Sequence, residues 1–257
     1  MATLADFTYT VIKQITDVLQ STATEGTATT IVDTAQLTQV AEHWGKGTVW
    51  ILSGAHAGKV VVVSSYVPNT LTFPTLTTTV GNPRYGVAGA EFPWVELVKA
   101  VNQALSEEGV YVLDDDTSLT GDGTTLEFTL PAGVYKIKEV WIKDSLPSPL
   151  DRHPSHHWGQ LNGKLIFDNN CAPWDNYVIE IIHEIRHPEA GVYSDVIDDE
   201  IDLDWLKWKS IENLMLWAIR EYGNNPQKQY AQFLQNARDM LLNKRPLRNI
   251  SVRIQTA

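Results

Sequence analysis

The sequence predicts an α+β protein in which a small β-barrel-like module and a β-sandwich-like region are flanked by α-helices. Apolar residues recur every three or four positions in four separate segments, and this is the period of an amphipathic helix. Residues 21–90 contain fourteen threonines and only six charged residues, in short β-branched runs interrupted by glycine, proline and asparagine. Such runs are typical of strands joined by tight turns. Apolar and polar residues alternate again after residue 109, which predicts a second β region.

Residues 1–20 form the first predicted segment, an N-terminal helix. One apolar stripe follows it at helical spacing and consists of Leu4, Phe7, Val11, Ile15 and Val18. The stripe predicts a helix over residues 4–19 that buries one face.

Residues 21–90 form the second predicted segment, a threonine-rich module of four or five short strands. The strand candidates are GTATTIVD, GTVWILSG, AGKVVVVSSYVP and TLTFPTL. An open sheet of this size would leave unpaired edges, and such edges promote aggregation. A small barrel-like or curled sheet is therefore predicted.

Residues 91–257 form the third predicted segment, in which a helix is followed by a β-sandwich-like region and a C-terminal helical pair. Pro93 suits the first turn of the helix and Gly109 its end. The strand candidates that follow are TTLEFTLP, YKIKEVWIKD, GKLIFD and YVIEIIHEIR. Residues 146–158, with three prolines and three histidines, are predicted to leave the sheet as a loop.

The C-terminal helical pair contains the residues that we expect to form intermolecular contacts. Asp202 or Asp204 can cap a first helix that ends at Gly223. Asn225 and Pro226 can start a second helix. The first helix is apolar over more than half of its circumference, so it is buried by its own domain or by a neighbouring subunit. Tryptophan and tyrosine often anchor protein interfaces, and the chain has nine tryptophans. The predicted interface residues are Trp205, Trp208, Ile211, Met215, Trp217, Tyr222 and Phe233.

The formal charge of −11 is unevenly distributed. Nine basic and three acidic residues follow position 206, so this part carries +6 and residues 1–206 carry −17. Such a chain is not expected to wrap nucleic acid independently of sequence, because phosphate contacts need clustered lysine and arginine. Six carboxylates within residues 195–204 either stabilise the start of the following helix or form a negative surface that meets a basic subunit or repels DNA. The candidates for this acidic surface are Asp195, Asp198, Asp199 and Glu200.

Membrane and secreted classes of protein are not expected. No apolar run reaches the roughly 18 residues of a membrane span, and the first 20 residues lack the basic and apolar regions of a signal peptide. The single cysteine, Cys171, excludes an internal disulfide. We therefore expect a chain that is made on the reducing side of a membrane and has no membrane partner.

The motif HEIRH at residues 183–187 matches the HExxH pattern of zinc peptidases. In those enzymes a helix directs both histidines to one zinc ion, and the glutamate beside it acts as general base. Here the surrounding residues alternate with a period of two, and a strand would separate His183 from His187 by about 13 Å. Pro188 also disfavours a helical conformation at His187. A strand with two partly exposed histidines is the favoured interpretation, and a zinc peptidase that uses His183, Glu184 and His187 is the alternative.

Three further motifs have weaker matches to functional sites. His153, His156, His157 and Cys171 offer zinc ligands, but their spacing fits no structural zinc site. Residues 54–59, GAHAGK, resemble a phosphate loop with one residue too few, and a hairpin turn explains their glycines. The three aspartates at 114–116 lack the glycine and the final glutamate of a calcium loop. We expect no catalytic residue, no bound metal and no cofactor, so an enzyme is not predicted.

Three stretches of the sequence together resemble the head-to-tail connector, or neck adaptor, proteins of tailed bacteriophages. The first is GTATTIVDTAQL with GKGTVWILSGAHAGKVVVVSSYVPNTLTF, which is similar to a small β module of phage virion proteins. The second is the helix FPWVELVKAVNQALSEEGVYVL, which leads into TLEFTLPAGVYKIKEVWI. The third is a strand that ends in His-Pro, then an acidic stretch and a helix, YVIEIIHEIRHPEAGVYSDVIDDEIDLDWLKWKSIENLMLWAI. Together they span most of residues 22–222.

The resemblance implies a virion structural protein that is made in the host cytoplasm and lies in the neck between capsid and tail. It implies a homo-oligomeric ring, twelvefold to match a portal, that contacts the portal protein and the downstream tail or neck proteins. DNA would pass through this ring only as transiting cargo, and an acidic lumen would not retain it. The order of elements also fits other tail components, for tail completion, for the baseplate or for receptor binding. A receptor- or carbohydrate-binding component would use the threonine-rich module and exposed aromatic residues.

Overall fold

The computed structural model describes residues 2–107, 112–134, 136–143, 152–168, 171–223, 229–242 and 244. It confirms the α+β class, with four helices and five small antiparallel sheets in these ranges. The described residues up to 107 and from 188 onward form one compact unit, and residues 112–187 form another. The predicted segments 1–20 and 21–90 thus share a unit with both helical parts of the predicted segment 91–257.

Four helices belong to the first unit. They are α1 (Leu4–Ile15), α2 (Trp94–Leu105), α3 (Leu203–Tyr222) and α4 (Tyr230–Leu242). α1 begins at the N-cap Thr3, whose hydroxyl accepts a hydrogen bond from the amide of Asp6 and donates one to its carboxylate. It ends at Ile15 because Thr16 is extended, so Val18 lies outside the helix in which it was predicted.

Eight short strands form the module that was predicted to contain four or five. They are β2 (Leu19–Thr22), β3 (Glu25–Gly26), β4 (Thr30–Val32), β5 (Thr48–Ile51), β6 (Val60–Val62), β7 (Ser65–Val67), β8 (Thr70–Thr72) and β9 (Arg84–Ala88). The sheet orders are β2-β9-β5-β6 and β3-β4-β8-β7. The run AGKVVVVSSYVP provides two strands because the chain crosses between sheets at Val63, whose amide bonds to Gly47, and Ser64, whose amide bonds to Thr72. The two sheets enclose one apolar core that includes Ile31, Tyr66 and Leu71.

α1 packs directly against this barrel-like module. The indole N–H of Trp50 in β5 donates to the hydroxyl of Thr8 over 3.3 Å, and the rings of Tyr9 and Trp50 are 5.7 Å apart. Position 86 in β9 favours glycine, since a Cβ there would lie 2.5 Å from the Tyr9 ring and the ring would have to move. The helix and the barrel therefore share part of their buried surface.

The N-terminus is fastened by a two-stranded sheet in the first unit. β1 (Ala2–Thr3) pairs with β17 (Val196–Ile197), and the amide of Leu4 donates to the carbonyl of Asp195 over 2.7 Å. The side chain of Asn102 in α2 forms two hydrogen bonds with the backbone of Ala190, of 2.7 and 2.9 Å. Segment 188–202 is therefore held at both α1 and α2 before α3 begins.

Seven strands form the second unit. They are β10 (Val112–Thr120), β11 (Glu127–Thr129), β12 (Lys136–Lys143), β13 (Arg152–Ser155), β14 (Trp158–Leu161), β15 (Lys164–Phe167) and β16 (Val178–Ile185). The sheet orders are β10-β16-β12-β13 and β11-β15-β14. Both sheets contribute to one core, through Val140, Leu165, Phe167, Ile179 and Ile181 among others. This two-layer arrangement agrees with the sandwich-like region in the predicted fold.

One part of the predicted loop at 146–158 is a strand. Residues 152–155 form β13, which pairs with β12 at the edge of the sheet, with Ser155 opposite Val140. Pro154 is tolerated there because an edge strand needs hydrogen bonds on one side only. Residues 146–151 lie outside the described residues, as do the predicted cap at Asn225 and Pro226.

Candidate interaction surfaces

Much of the predicted interface helix is covered by its own chain. Trp205 is 7% exposed, Ile211 1% and Met215 0%, and α3 contacts α1, α2 and α4 within the first unit. The wide apolar circumference of α3 is therefore explained by packing inside the chain. The three side chains stabilise the fold and are not exposed for intermolecular contacts, which corrects their prediction as interface residues.

An exposed apolar edge remains on the C-terminal half of α3, and we call Leu216, Trp217 and Tyr222 the α3 edge. Leu216 is 40% exposed and Tyr222 46% exposed. Trp217 is half-buried, and its ring meets that of Tyr222 edge-on with 5.6 Å between centroids. The predicted interface residues Trp208 and Phe233 are also half-buried. Leu216 was missed by the sequence analysis, because at helical spacing it belongs to no regular stripe.

The phenol of Tyr222 is fixed by a polar contact. Its hydroxyl donates to the carbonyl oxygen of Glu91 over 3.3 Å, and its ring lies 6.3 Å from that of Tyr230. The hydroxyl of Tyr230 donates to the carboxylate of Glu91. Burial and the adjacent Glu91 carboxylate raise the pKa of Tyr230 above its ordinary value. The α3 edge is thus held in one orientation, which lowers the entropic cost of binding a partner.

A charged network joins α3 to α4 and to the end of α2. Lys209 Nζ lies 3.0 Å from Glu212 Oε2 and 3.3 Å from Glu107 Oε1, and Arg238 Nε donates to Glu212 Oε1 over 3.1 Å. Burial acts to raise the pKa of Glu212, but the hydrogen bonds from Lys209 and Arg238 outweigh it and lower that pKa. Some of the positive charge of the C-terminal part is therefore neutralised inside the unit.

The predicted acidic surface is only partly a free surface. Asp195 Oδ2 accepts hydrogen bonds from the amides of Gly191 and Val192, of 2.7 and 2.8 Å, and these hold the pKa of Asp195 below its ordinary value. Asp198 Oδ1 accepts from the amide of Glu200 over 2.9 Å. These two carboxylates stabilise turns.

Helix capping accounts for another carboxylate of the same stretch. Asp202 is the N-cap of α3 and accepts from the amides of Asp204 and Trp205. Asp199 is exposed and Glu200 is half-buried. Most of the carboxylates described in this stretch therefore stabilise turns or the start of α3, and Asp199 remains exposed at the surface.

Residues 183–185 of the HEIRH motif lie on a strand, as predicted, rather than on a helix, and Arg186 and His187 follow the end of that strand. His183 and Glu184 belong to β16, which pairs with β10 on one side and β12 on the other. Lys138 Nζ lies 2.7 Å from Glu184 Oε1. His183 is 4% exposed and His187 9%, so the expectation of partly exposed histidines is wrong. His183 lies in β16, which has a neighbouring strand on each side, and His187 is buried just after the end of that strand. The described part of the chain contains no group of three or more histidine, cysteine or acidic side chains that could hold a metal.

The histidines of the predicted loop do not converge on Cys171. His153 and His156 are exposed, Cys171 is half-buried, and His157 Nδ1 lies 3.5 Å from Asp168 Oδ2. The loop that resembles a phosphate loop is a turn between β5 and β6, in which Gly54 and Gly58 have φ values of 86° and 82°. The aspartates at 114–116 lie in strand β10 rather than in a loop.

The second unit contains a cavity that the sequence analysis did not predict. Its volume is about 430 Å³, and it lies beside β12 where the edge strand β13 ends. It is lined by Lys138, Glu139, Val140, Trp141, Pro154, Ser155, His156 and Trp158. We call it the β12–β13 cavity. The alternation KIKEVWIK contained a signal for it, because Trp141 falls on the polar face of that strand.

An exposed tryptophan is the second unpredicted feature of this unit. Trp174 is 70% exposed on the loop before β16, and its ring meets that of Tyr177 edge-on at 5.5 Å. The backbone of Gly121 exchanges hydrogen bonds with Tyr177 and Asn176, of 2.8 and 3.0 Å. The loop is so close that a Cβ at position 121 would lie 2.6 Å from the Trp174 carbonyl oxygen. The sequence CAPWDN, a tryptophan among turn residues, was the available signal.

Comparison with known proteins adds no relative from which function can be transferred. No model of a known protein family matches the chain, and no curated protein matches it significantly. Among the described residues, no helix combines the length and the apolar character that crossing a membrane requires.

Proposed function

We propose that this chain is a virion structural protein of the bacteriophage neck, a subunit of the head-to-tail adaptor ring that joins the capsid portal to the tail. The observation that carries the proposal is that each compact unit holds large aromatic side chains exposed in fixed orientations. These are Tyr222 in the first unit, whose ring meets the half-buried Trp217 edge-on, and Trp174 in the second. Rigid exposed aromatics are the residues that most often dominate protein interfaces.

The function of such a subunit is association, so its mechanism is the formation of specific contacts. Apolar side chains at the α3 edge would supply affinity, because their area is removed from water on binding. Charges at the surface would fix the register and disfavour incorrect partners. Contacts with the portal and with the tail need two different surfaces, and a closed ring needs a further heterologous pair.

The charge of the chain supports a channel through which DNA passes. The net charge is −11, and Asp199 is one of the carboxylates that remain exposed. A lumen rich in carboxylates repels phosphates, so DNA would pass as cargo and would not be bound. The elements quoted for the resemblance to neck adaptors, a small β module, a helix, a strand-rich region and an acidic stretch before a long helix, are present in the described residues.

Immunogold electron microscopy on phage particles tests the proposal. Antibody against this chain should label the junction of capsid and tail, in intact particles or, if the ring is covered, in disrupted ones. Antibody against the major capsid protein on the same grids is the control for access. Absence of label from both kinds of particle would contradict a virion role.

Complementation of a phage that lacks this protein gives a second test, which examines the α3 edge. The combined change Trp217→Ala and Tyr222→Ala removes the aromatic part of the α3 edge, and we expect fewer tailed particles from a phage that lacks its own copy. Val40→Ala is the matched control, because Val40 is 76% exposed in a different part of the same unit. Equal yields from both variants would remove the α3 edge from the proposal.

A receptor-binding tail component is the second candidate, and one observation favours it. Two indoles, Trp141 and Trp158, line the β12–β13 cavity beside the polar side chains of Glu139 and His156. Small-ligand sites commonly combine apolar walls with a few polar groups. Label at the tip of the tail instead of the neck would favour this candidate.

A further inference from the structure

We infer that the C-terminal segment, residues 246–257, binds along the open edge of strand β10 and adds a fifth strand to its sheet. In the described part of the chain, β10 has one neighbouring strand, β16. The occupant of the open edge is the chain's own C-terminal segment, which lies beyond the last described residue, Lys244. The contact does not depend on the proposed place of the protein in a virion.

The two edges of the four-stranded sheet differ in how well they are protected. β13 has four residues and includes Pro154, and a short strand with a proline is a common way to protect an edge. β10 is the longest strand described, with nine residues and no proline. Its residues 112–116 pair with β16 in a regular register. Alternate backbone groups of this stretch point away from β16, so β10 is the edge on which a further strand can form a ladder.

The margin of the sandwich core beside β10 is open. Asp114 lies opposite His183, and Asp116 lies opposite Ile181, which is 0% exposed in the core. Both aspartates therefore lie on the core-facing side of the strand. Asp114 is nevertheless exposed, and Asp116 and Leu119 are half-buried. The described elements thus leave this margin accessible, and an added strand with an apolar face would cover it.

The sequence of the C-terminal segment has the pattern of such a strand. Ile250, Val252 and Ile254 are β-branched and alternate with polar residues, a period of two that places the three on one face. The segment contains no glycine, and its proline, Pro246, precedes the alternating run. A strand with this pattern presents one apolar face to a core.

Charge selects this segment as the partner of β10. The three consecutive aspartates of β10 disfavour an acidic strand, whereas residues 246–257 contain two arginines and no acidic residue. Asp115 is exposed and lies opposite Ile182, on the face of the sheet away from the core. Arg253 lies on that same face when the apolar residues of the segment point to the core. The two opposite charges therefore fall on one side of the added ladder.

The connection to the same chain favours the chain's own segment over that of a second copy. A short tether gives a binding segment an effective concentration on the order of millimolar. A second copy in dilute solution competes at its much lower free concentration. The added strand is therefore expected to form without association between copies.

Hydrogen exchange tests the contact. In a chain that ends at Lys244, alternate amides of β10 should exchange at least about tenfold faster than in the full chain, because they lose their hydrogen bonds to the added strand. Amides of β14, an edge strand of the other sheet, are the control and should keep their rates. Equal exchange of the β10 amides in the two chains overturns the inference.

A charge exchange in the full chain tests the register without removing the segment. Arg253→Glu should raise the exchange rate of the β10 amides severalfold, whereas Arg245→Glu, the same charge change ahead of the alternating run, should hardly alter it. Asp115→Arg should restore protection when combined with Arg253→Glu and should not do so when combined with Arg245→Glu. Equal effects of the two glutamate variants, or no recovery in the first double variant, contradict the contact.

A peptide separates the chain's own segment from that of a second copy. A synthetic peptide of residues 246–257 should restore protection of β10 in the chain that ends at Lys244. The same peptide with Ser251→Pro and Val252→Pro is the control, since adjacent prolines remove N–H groups from both edges of a strand. A wild-type peptide without effect at millimolar concentration overturns the inference. Protection in the full chain that rises with protein concentration, together with dimers in sedimentation velocity, assigns the strand to a second copy and overturns it as well.

Discussion

The barrel-like module and the sandwich are both built from two antiparallel sheets around one core, but their cores are closed to different degrees. Among the described residues, the barrel core contains thirteen buried residues and three partly buried ones, whereas the sandwich core contains six buried and seven partly buried residues. The sandwich also keeps two buried glutamates, Glu180 and Glu184, each beside a lysine. In the described residues the barrel core is thus the more fully buried of the two, while the sandwich carries the exposed aromatic side chain of Trp174.

Matched leucine truncations should give the largest difference between the two regions. Leu71 in the barrel and Leu165 in the sandwich are both 0% exposed. We expect Leu71→Ala to lower the free energy of unfolding by about 4 kcal/mol and Leu165→Ala by about 2–3 kcal/mol, since partly buried neighbours in the sandwich can relax into the space. Urea unfolding, with hydrogen exchange to assign each unit, measures both. Equal losses would contradict the difference in closure.

The buried ion pairs provide a test that is specific to the sandwich. Lys138→Met keeps the aliphatic part of the side chain but removes the ammonium that lies 2.7 Å from Glu184. The side chain of Glu184 is 3% exposed and that of Lys138 31%, so we expect a loss of about 2 kcal/mol, less than for a fully buried pair. The double variant Lys138→Met with Glu184→Leu should recover part of the loss. Failure to recover any stability would show that the charge pair is not the cause.

The barrel offers a corresponding buried polar contact. The hydroxyl of Tyr85 donates to Asp33 Oδ2 over 2.9 Å, and Asp33 is 1% exposed. Tyr85→Phe should lower the free energy of unfolding by about 1.5 kcal/mol, because it removes a hydrogen bond to a charged group. The measurement is urea unfolding at neutral pH, with Tyr9→Phe as a control for a tyrosine whose hydroxyl bonds at the surface.

The same contact predicts a pH dependence. Burial acts to raise the pKa of Asp33, but hydrogen bonds from Ser21, Tyr85 and two backbone amides outweigh it, so its pKa in the fold is below the ordinary value. A lowered pKa stabilises the fold above the unfolded value of about 4, and this contribution is lost as pH falls through the folded pKa. Stability measured from pH 5 downward should therefore fall less steeply in Tyr85→Phe than in wild type. An unchanged slope would exclude Tyr85 as a cause of the lowered pKa.

Helix capping should give the smallest effect. Asp202→Ala removes the cap of α3, and we expect a loss of about 1 kcal/mol. Asp199→Ala is the matched control three residues earlier, where the side chain is exposed, and thermal unfolding should hardly change. A larger loss for Asp199→Ala would indicate that the acidic stretch stabilises the fold through its surface charge.

Local patterns were sufficient to predict much of the fold. The α+β class, the four helices and the strand at the start of HEIRH follow from periods of 3.6 and two, which depend only on neighbouring residues. The number of strands in the barrel was wrong because the passage between sheets at Val63 is a tertiary event. The assignment of residues 152–155 to a loop was wrong for a similar reason, since β13 exists only because β12 is beside it.

The prediction of interface residues on α3 was wrong in part, again because it depended on contacts between residues that are distant in the sequence. An apolar helix face indicates that something covers it, but the covering element lies far away in the sequence. Other parts of the same chain cover Trp205, Ile211 and Met215, whereas Tyr222 stays exposed. Trp174 could not be ranked above the other tryptophans, because its exposure depends on the close approach of its loop to Gly121.

The sequence by itself therefore determined the helices and the two β regions, the excess of negative charge and the supply of aromatic residues, because these depend on composition and on local spacing. Tertiary structure decided which aromatic residues are buried, which carboxylates cap turns, and where an exposed tryptophan and a cavity lie. Burial and convergence are set by contacts between residues that are distant in the chain, and a linear pattern does not contain those distances.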